Sequence, residues 1–350
     1  MADAVRRIVA LQAQEPASPY IALWNRVAPF DAEALDAAFT RHEVAKAPLM
    51  RVTLHAVHRQ DYPTLHSAML RTLRSARLGD SRFTSSGLSI PEADALAAEL
   101  TEFVDEPRST PEILGWLESR VGEAARGVWW ALRTFSPLFH APTSGPWSFG
   151  TRPDYVAANP SPEREPERAV EELVWRYLEG FGPASVPDIA QFALMRRSTV
   201  REALQAQSDA LVRLEGPEGD ELFDVPDAPI PDGDTTAPPR LLPMWESSLL
   251  AYHDRSRVIP PDHRKLVIRR NGDVLPTLLV DGYVAGVWRA TDDGIQAMAF
   301  DQLPDDVWNA LTDEAASLSA LLADRQPDVY RRYGHWWDKL PSGDVRTLTS

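Results

Sequence analysis

An α+β protein, helical over its first two-thirds and antiparallel β over its last third, is what the sequence predicts. Three observations carry this. Two proline-rich stretches, Asn159 to Glu167 and Pro226 to Pro239, cannot form helix or central strand and read as linkers. They leave blocks of about 158, 58 and 111 residues, the size of ordinary domains. The first two blocks repeat apolar residues at helical spacing, whereas the last is rich in β-branched and aromatic residues around Asn271-Gly272 and Asp281-Gly282, pairs that favour tight hairpin turns.

In chain order, Asp3 to Gln12 reads as a helix and Asp31 to Phe39 as a second, with Asp31 as N-cap. Leu49 to Val57 reads as a strand. Asp61 to Leu78 returns to helix and presents Arg71, Arg74 and Arg77 at three-residue spacing. Pro91 to Phe103 is helical, Ser109 or Thr110 caps Pro111 to Val121, and Val128 to Phe139 leads to a Gly- and Pro-containing wing at Ala141 to Phe149. The middle block is the clearest. Ala169 to Gly180 is a helix, Ser185 caps Val186 to Phe192, Ser198 caps Thr199 to Gln205, and Ala210 to Leu214 pairs with Glu221 to Val225 across a Gly216-Pro217-Glu218-Gly219 turn.

Three helices and a hairpin in about 58 residues fit a winged helix. The same order can be traced twice in the first block, which predicts an internal repeat. In the last block Leu266 to Arg269, Val274 to Val280, Tyr283 to Arg289 and Ile295 to Phe300 read as a β meander or partial barrel. The helix Asp305 to Leu322 packs on it, and the aromatic segment Asp328 to Trp337 covers an edge. The expected organisation is therefore tandem winged-helix units at 1–89, 90–158 and 168–225, followed by an antiparallel β domain at 240–350.

Composition narrows the function. The 350 residues, 44% hydrophobic, build sizeable cores. No stretch approaches the roughly 20 apolar residues of a membrane span, and the amino terminus lacks a charged-then-apolar leader. There are no cysteines, hence no disulfide and no thiolate metal site. These features predict a cytoplasmic protein without a membrane partner, and the Ala, Arg, Pro and Glu usage resembles that of a high-GC bacterium. A net charge of −15 opposes DNA binding, because a phosphate backbone rewards clustered cations. Residues 1–89, however, hold 11 Lys and Arg against 8 Asp and Glu, a net +3, so the remainder carries −18.

Gln12 and Gln14 sit two apart, close enough to hold one water or one sugar between two carboxamides. On a nucleic-acid scaffold such a pair suggests an enzyme acting on DNA; by themselves, two glutamines near a helix end are more often solvated or capping residues. His55 either contacts DNA or the pair, or bonds to backbone. Arg71, Arg74, Arg77 and Arg82 either bind phosphates or form a salt-bridged helix face. Arg196, Arg197 and Arg201 open the recognition-helix candidate of the middle unit. Trp129, Trp130, Trp336 and Trp337 fit core or edge positions better than base stacking. The eight histidines lack catalytic-zinc spacing, and Gly87, Gly115 and Gly122 lack the spacing of a phosphate loop, so neither metal nor cofactor is expected.

Six stretches carry a resemblance: Ile8 to Pro16 (IVALQAQEP), Ser18 to Trp24 (SPYIALW), Leu49 to Val57 (LMRVTLHAV), Tyr177 to Ala190 (YLEGFGPASVPDIA), Leu241 to Val258 (LLPMWESSLLAYHDRSRV) and Gly272 to Trp288 (GDVLPTLLVDGYVAGVW). Through them the chain resembles the bacterial winged-helix DNA glycosylases that include the azinomycin-resistance enzyme and a related enzyme that unhooks interstrand crosslinks. The resemblance implies winged helices wrapped around duplex DNA and a Gln-x-Gln catalytic motif at Gln12 and Gln14. It further implies DNA contacts from a hairpin of the last domain, for which Arg269 to Asp273 is the candidate, with Arg269, Arg270 and Asn271 at its tip. Arg51, His55, Arg71, Arg74 and Arg77 complete the expected DNA-binding set. Two departures stand out. Relatives carry about one further helix before the motif, a few turns in length. Trp245-Glu246 stands where the family has an apolar residue and Asp.

Glutamine is not a base at neutral pH, so the chemistry it serves must need none. A purine alkylated at ring nitrogen seven already carries positive charge and leaves as a neutral base. Water placement and charge stabilisation then matter more than acid catalysis. Glu15, on a helix, would point about 100° from Gln14 and takes a minor role. The expected function is a monofunctional, metal-independent DNA glycosylase for cationic alkylated purines in duplex DNA, acting as a monomer in repair or self-resistance. The rivals are a non-catalytic winged-helix regulator and a degenerate member that binds protein partners.

Overall fold

A computed structural model of the chain describes residues 1–143, 145–159 and 165–349. It divides into two compact units. One comprises Met1–Ala13 and Ala32–Ala228, the other Gln14–Asp31 and Pro229–Ser350. Helices and antiparallel sheets are mixed in the chain, as the α+β reading expects.

Three helices of the first unit start on the same four-residue phrase. Ser89-Ile90-Pro91-Glu92 opens Ile90–Phe103, Ser109-Thr110-Pro111-Glu112 opens Thr110–Val121, and Ser185-Val186-Pro187-Asp188 opens Val186–Ala193. In each, the serine backbone N–H donates to the acid three residues on, at 2.8, 2.8 and 2.9 Å, while the serine hydroxyl accepts from that acid's own N–H. Proline fits in the first turn because its missing N–H would have no partner there. Ser198 makes no such start. Arg197–Ala206 begins one residue before it, from Arg196 and without a side-chain cap.

One order of elements recurs along the chain: helix, short strand, two helices, two strands. It runs Ala2–Arg7, Leu11–Gln12, Ser18–Trp24, Ala32–Thr40, Val44–Pro48, Leu54–His58. It returns as Ile90–Phe103, Arg108–Ser109, Thr110–Val121, Ala125–Phe135, Leu138–Ala141, Asp154–Ala157. In both cases the first strand pairs with the third and the third with the second, all antiparallel. The last instance places Pro166–Phe181, Val186–Ala193 and Arg197–Ala206 before the hairpin Val212–Glu215 and Glu221–Asp224, and its first strand shrinks to a bridge between Ala184 and Phe223. The long helix Tyr62–Leu78 packs on Pro166–Phe181 and Ala125–Phe135, and its Leu65, Met69 and Leu73 are buried.

The local readings need four corrections here. The helix expected over Asp3 to Gln12 stops at Arg7. Val9 takes a left-handed φ of 68°, and Leu11–Gln12 becomes a strand. The single strand expected over Leu49 to Val57 is instead a 3₁₀ turn, Met50–Val52, leading into Leu54–His58, with Val44–Pro48 as its unpredicted partner. The linker expected from Asn159 ends early, since Pro166 already begins a helix; residues 160–164 lie outside the described residues. Ser144 of the expected wing lies outside them too, and the return strand begins only at Asp154.

The second unit is built on five antiparallel strands in the order Asp344–Leu348, Gly294–Ala299, Tyr283–Thr291, Thr277–Val280, Arg240–Leu242. The sheet is open, so the expected partial barrel has no closure. The Asp281-Gly282 turn is the predicted tight hairpin, with φ of 48° and 79° and Val280 paired to Tyr283. Gly286 is required by packing: a Cβ there would lie 2.1 Å from the Met298 carbonyl oxygen. Asp305–Ala323 packs on the sheet with Trp308 and Leu311 buried. The segment read as a strand from Leu266 to Arg269 is a helical turn, Arg264–Val267, because the Pro260-Pro261 carbonyls accept from His263 and Arg264 and start it; only Ile268 pairs, with Val274. The short edge strands at 240–242 and 344–348 give too little pattern to read.

Candidate active site

Gln12 lies in the two-residue strand that faces His55 of Leu54–His58. It is buried, at 4% exposure. Its Nε2 donates to the Thr53 hydroxyl at 3.1 Å, and that hydroxyl lies 3.1 Å from the Met50 carbonyl. A hydroxyl has one proton to give. The Gln12 Oε1 also lies 3.3 Å from that hydroxyl, so Thr53 faces both ends of the carboxamide and its single proton serves either Gln12 Oε1 or the Met50 carbonyl.

The Thr53 carbonyl holds His55. A carbonyl only accepts, so Nδ1 of His55 carries the proton and donates at 3.0 Å, leaving Nε2 to accept from Arg51 Nη2 at 3.2 Å. His55 is 1% exposed, and burial, then the charge of Arg51, pushes its pKa well below the usual histidine value. The ring is neutral. Arg51 is itself tied down: Nη1 donates to the Phe192 carbonyl at 2.9 Å and the guanidinium lies 5.3 Å from the Phe192 ring centre. Arg51 and Val52 both adopt left-handed φ, 55° and 59°, sparsely populated for side chains of this size. The strained turn is what brings Arg51 back onto His55, four residues ahead.

The arginines expected to line one helix face part company. Arg71 is exposed. Arg74 forms an ion pair with Asp94 and lies 5.2 Å from the Phe135 ring centre. Arg77 donates from Nε to the Thr134 hydroxyl at 3.0 Å and lies over Trp130, which also receives Arg82; the ring distances are 4.4 and 4.6 Å.

In the second unit, Gln14 is exposed in a bend. Glu15 is not on a helix; it is anchored by an ion pair to Arg332 and by the Tyr333 hydroxyl at 3.0 Å. Glu246 is buried, at 1% exposure. It accepts from Arg26 at 2.5 and 3.3 Å and caps Ser247–Leu250 through the Ser248 N–H at 3.0 Å. At the loop expected to reach DNA, Arg269 folds back onto the carbonyls of Lys265 and Leu266 and lies 4.6 Å from the Trp336 ring centre. Asn271 donates to Asp273, which also accepts from the Trp336 indole at 2.7 Å. Arg270 is exposed.

Thr53 and the partners that anchor Glu246 and Glu15 were not legible as site residues. A lone threonine in a strand carries no signal, and the partners of the two acids lie 220 and more than 300 residues away.

The model for DNA glycosylase AlkZ-like proteins matches residues 5–321. The chain belongs to that family. An interstrand DNA cross-link repair glycosylase of Streptomyces sahachiroi is 25% identical over 316 residues, covering 85% of this chain and 84% of its own. The structure of the Streptomyces sahachiroi DNA glycosylase AlkZ superposes with a TM-score of 0.77 at 22% identity, covering 93% of this chain and 91% of that one. The AlkZ-like fold therefore extends over nearly the whole molecule. Among the described residues of this AlkZ-like chain, no helix is long and apolar enough to cross a membrane, and no group of three or more His, Asp or Glu residues is arranged to hold a metal ion.

Proposed function

We propose that this AlkZ-like protein hydrolyses the N-glycosidic bond of cationic, alkylated purines in duplex DNA, with Gln12 and Gln14 as the working pair. The observation that carries the reading is the chemistry around Gln12. The groups joined there are a carboxamide, a hydroxyl, a neutral imidazole and a guanidinium, and none of the four is a carboxylic acid. Such a set cannot protonate a poor leaving group. It suits a base that already bears positive charge.

In the proposed reaction the oxygen of water bonds to C1′ as the bond from C1′ to the purine nitrogen breaks. The electron pair goes to the base, which leaves neutral, and the water proton passes to solvent. Gln12, held by the Thr53 hydroxyl, is the positioning member; Gln14, exposed, is the member that meets water and sugar. The Thr53–His55–Arg51 chain holds Gln12 in place. We read the recurrent helix and strand order as winged-helix units at 1–89, 90–158 and 168–225, and the β domain at 240–350 as the carrier of the Arg269 to Asp273 contact. First-to-third strand pairing in both complete repeats supports that reading. The named relative acts on interstrand crosslinks, so bulky adducts belong among the substrates to try.

The test is duplex DNA methylated at guanine ring nitrogen seven, scored as alkali-labile abasic sites, on a monomer verified by light scattering. Wild type releases base, Gln14→Ala loses roughly 10²- to 10³-fold in rate, as loss of one preorganised polar group does elsewhere, and the variant still binds duplex DNA. The burial of Gln12 favours a second reading, in which it is a structural residue of a DNA-binding regulator. That reading is adopted if wild type binds DNA and releases no base.

A further inference from the structure

Resting on the glycosylase reading, we propose that Arg255, Arg264, Lys265 and Arg270 form a phosphate-contact patch through which the second unit grips the duplex backbone. The sequence places six cations between residues 253 and 270 (Arg255, Arg257, Arg264, Lys265, Arg269 and Arg270) against two acids, Asp254 and Asp262. The rest of that unit is strongly acidic, with 8 Lys and Arg against 18 Asp and Glu. Elsewhere in the unit most cations have a carboxylate partner: Arg26 with Glu246, Arg240 with Glu314, Arg331 with Asp328, Arg332 with Glu15, Arg346 with Asp305 and Asp344, while Arg289 bonds to Gln296 and Lys339 lies over Trp336. Among the described residues, no carboxylate lies within ion-pair distance of Arg255, Arg264, Lys265 or Arg270.

The four are also held together. Arg264 and Lys265 are consecutive in one helical turn. Arg269 anchors its guanidinium on the Lys265 carbonyl, which fixes the chain path to Arg270. The charge of Arg264 reaches Arg255, whose Nε is buried without a hydrogen-bond partner. The backbone of the segment is tied to the sheet by the Val284 N–H donating to the Val258 carbonyl at 2.8 Å. Arg264, Lys265 and Arg270 are exposed beside Arg255, and like charges with no carboxylate among them repel one another until an anion neutralises them. A polyanion with regularly spaced phosphates does so while releasing its own counter-ions. In a protein of net charge −15 this concentration supplies locally what the overall charge denies.

The experiment measures duplex DNA affinity against salt concentration for the full chain, on unmodified and methylated duplex. The variant is Arg264→Gln, Lys265→Gln, Arg270→Gln; the control removes the same charge at the exposed residues Arg126, Arg152 and Arg168. Each lost phosphate contact lowers the log–log salt slope by about 0.9, so the variant is expected to lose about 2.7 and the control much less. Arg270→Gln alone, at an exposed loop position, is expected to lose about 0.9 and guards against misfolding of the triple variant. Equal slopes in variant and control, or an unchanged slope in both Arg270→Gln and the triple variant, overturn the proposal. Base release by wild type is scored separately, so a protein that grips DNA through this patch without releasing base retains the patch and loses the glycosylase reading.

Discussion

Arg51, Arg74 and Arg77 in the first unit and Arg264, Lys265 and Arg270 in the second are alike as sequence and opposite in circumstance. The first three spend their charge on the protein: Arg51 on a carbonyl and a histidine, Arg74 on Asp94, Arg77 on Thr134 and Trp130. The second three have no carboxylate beside them among the described residues. A basic residue in an acidic protein is informative about ligands only after its internal partners are subtracted. That subtraction needs the fold.

Lys46 is the extreme of the first unit and gives the largest expected effect. The residue is buried, its ammonium lies 4.4 Å from the Phe149 ring centre, its charge reaches His140, and burial pulls its pKa down to about 7. The unfolded chain holds that proton up to an ordinary lysine pKa, so stability rises with pH between about 7 and 10. Lys46→Met is expected to raise unfolding free energy at pH 7 by about 4 kcal/mol and to flatten that rise. Urea titrations at pH 7 and 9.5 check both, and an unstabilised variant breaks the assignment.

Acid comes next. His55 is buried and His66 and His140 are half-buried, and desolvation pushes the pKa of each down, to about 4 for His66. Unfolded histidines take up protons below about 6.5 while these stay neutral, so their contribution is complete above that value and is lost as pH falls through it. From pH 6.5 to 5.5 the three together cost about 3 kcal/mol. Thermal unfolding across that interval measures it, and His55→Asn should reduce the loss by about a third.

Smaller effects sharpen the contrast itself. Arg51→Ala removes charged hydrogen bonds to Phe192 and His55 and should cost roughly 2 kcal/mol. Arg71→Ala and Arg264→Ala, at exposed positions, should stay within about 0.5 kcal/mol. If Arg51 behaves like Arg71, the two sets of cations do not differ in the way described.

What could be read in advance follows from the range of the forces involved. The helix starts at Ser89, Ser109 and Ser185 and the turn at Asp281-Gly282 are decided by residues three or fewer positions apart, and the sequence states them openly. Val9, Arg51 and Val52 in left-handed conformations are imposed by packing against their residue preference, so the strand that carries Gln12 reads as helix. The Gln12–Thr53 and Arg26–Glu246 bonds join residues 41 and 220 positions apart. The Gln pair was picked out by its spacing and by family resemblance, and the burial of its first member was not legible at all.

In both complete repeats the earliest strand is zipped to the latest, across an interval that contains two helices. A ribosome must therefore finish such a repeat before its sheet can close. Until then Leu11–Gln12 and Arg108–Ser109 wait as open edges, the latter beside helices whose starts at Ser89 and Ser109 are already set locally. A nascent chain halted between Pro48 and Leu54 would hold every helix of the first repeat and still lack the strand that pairs with Gln12.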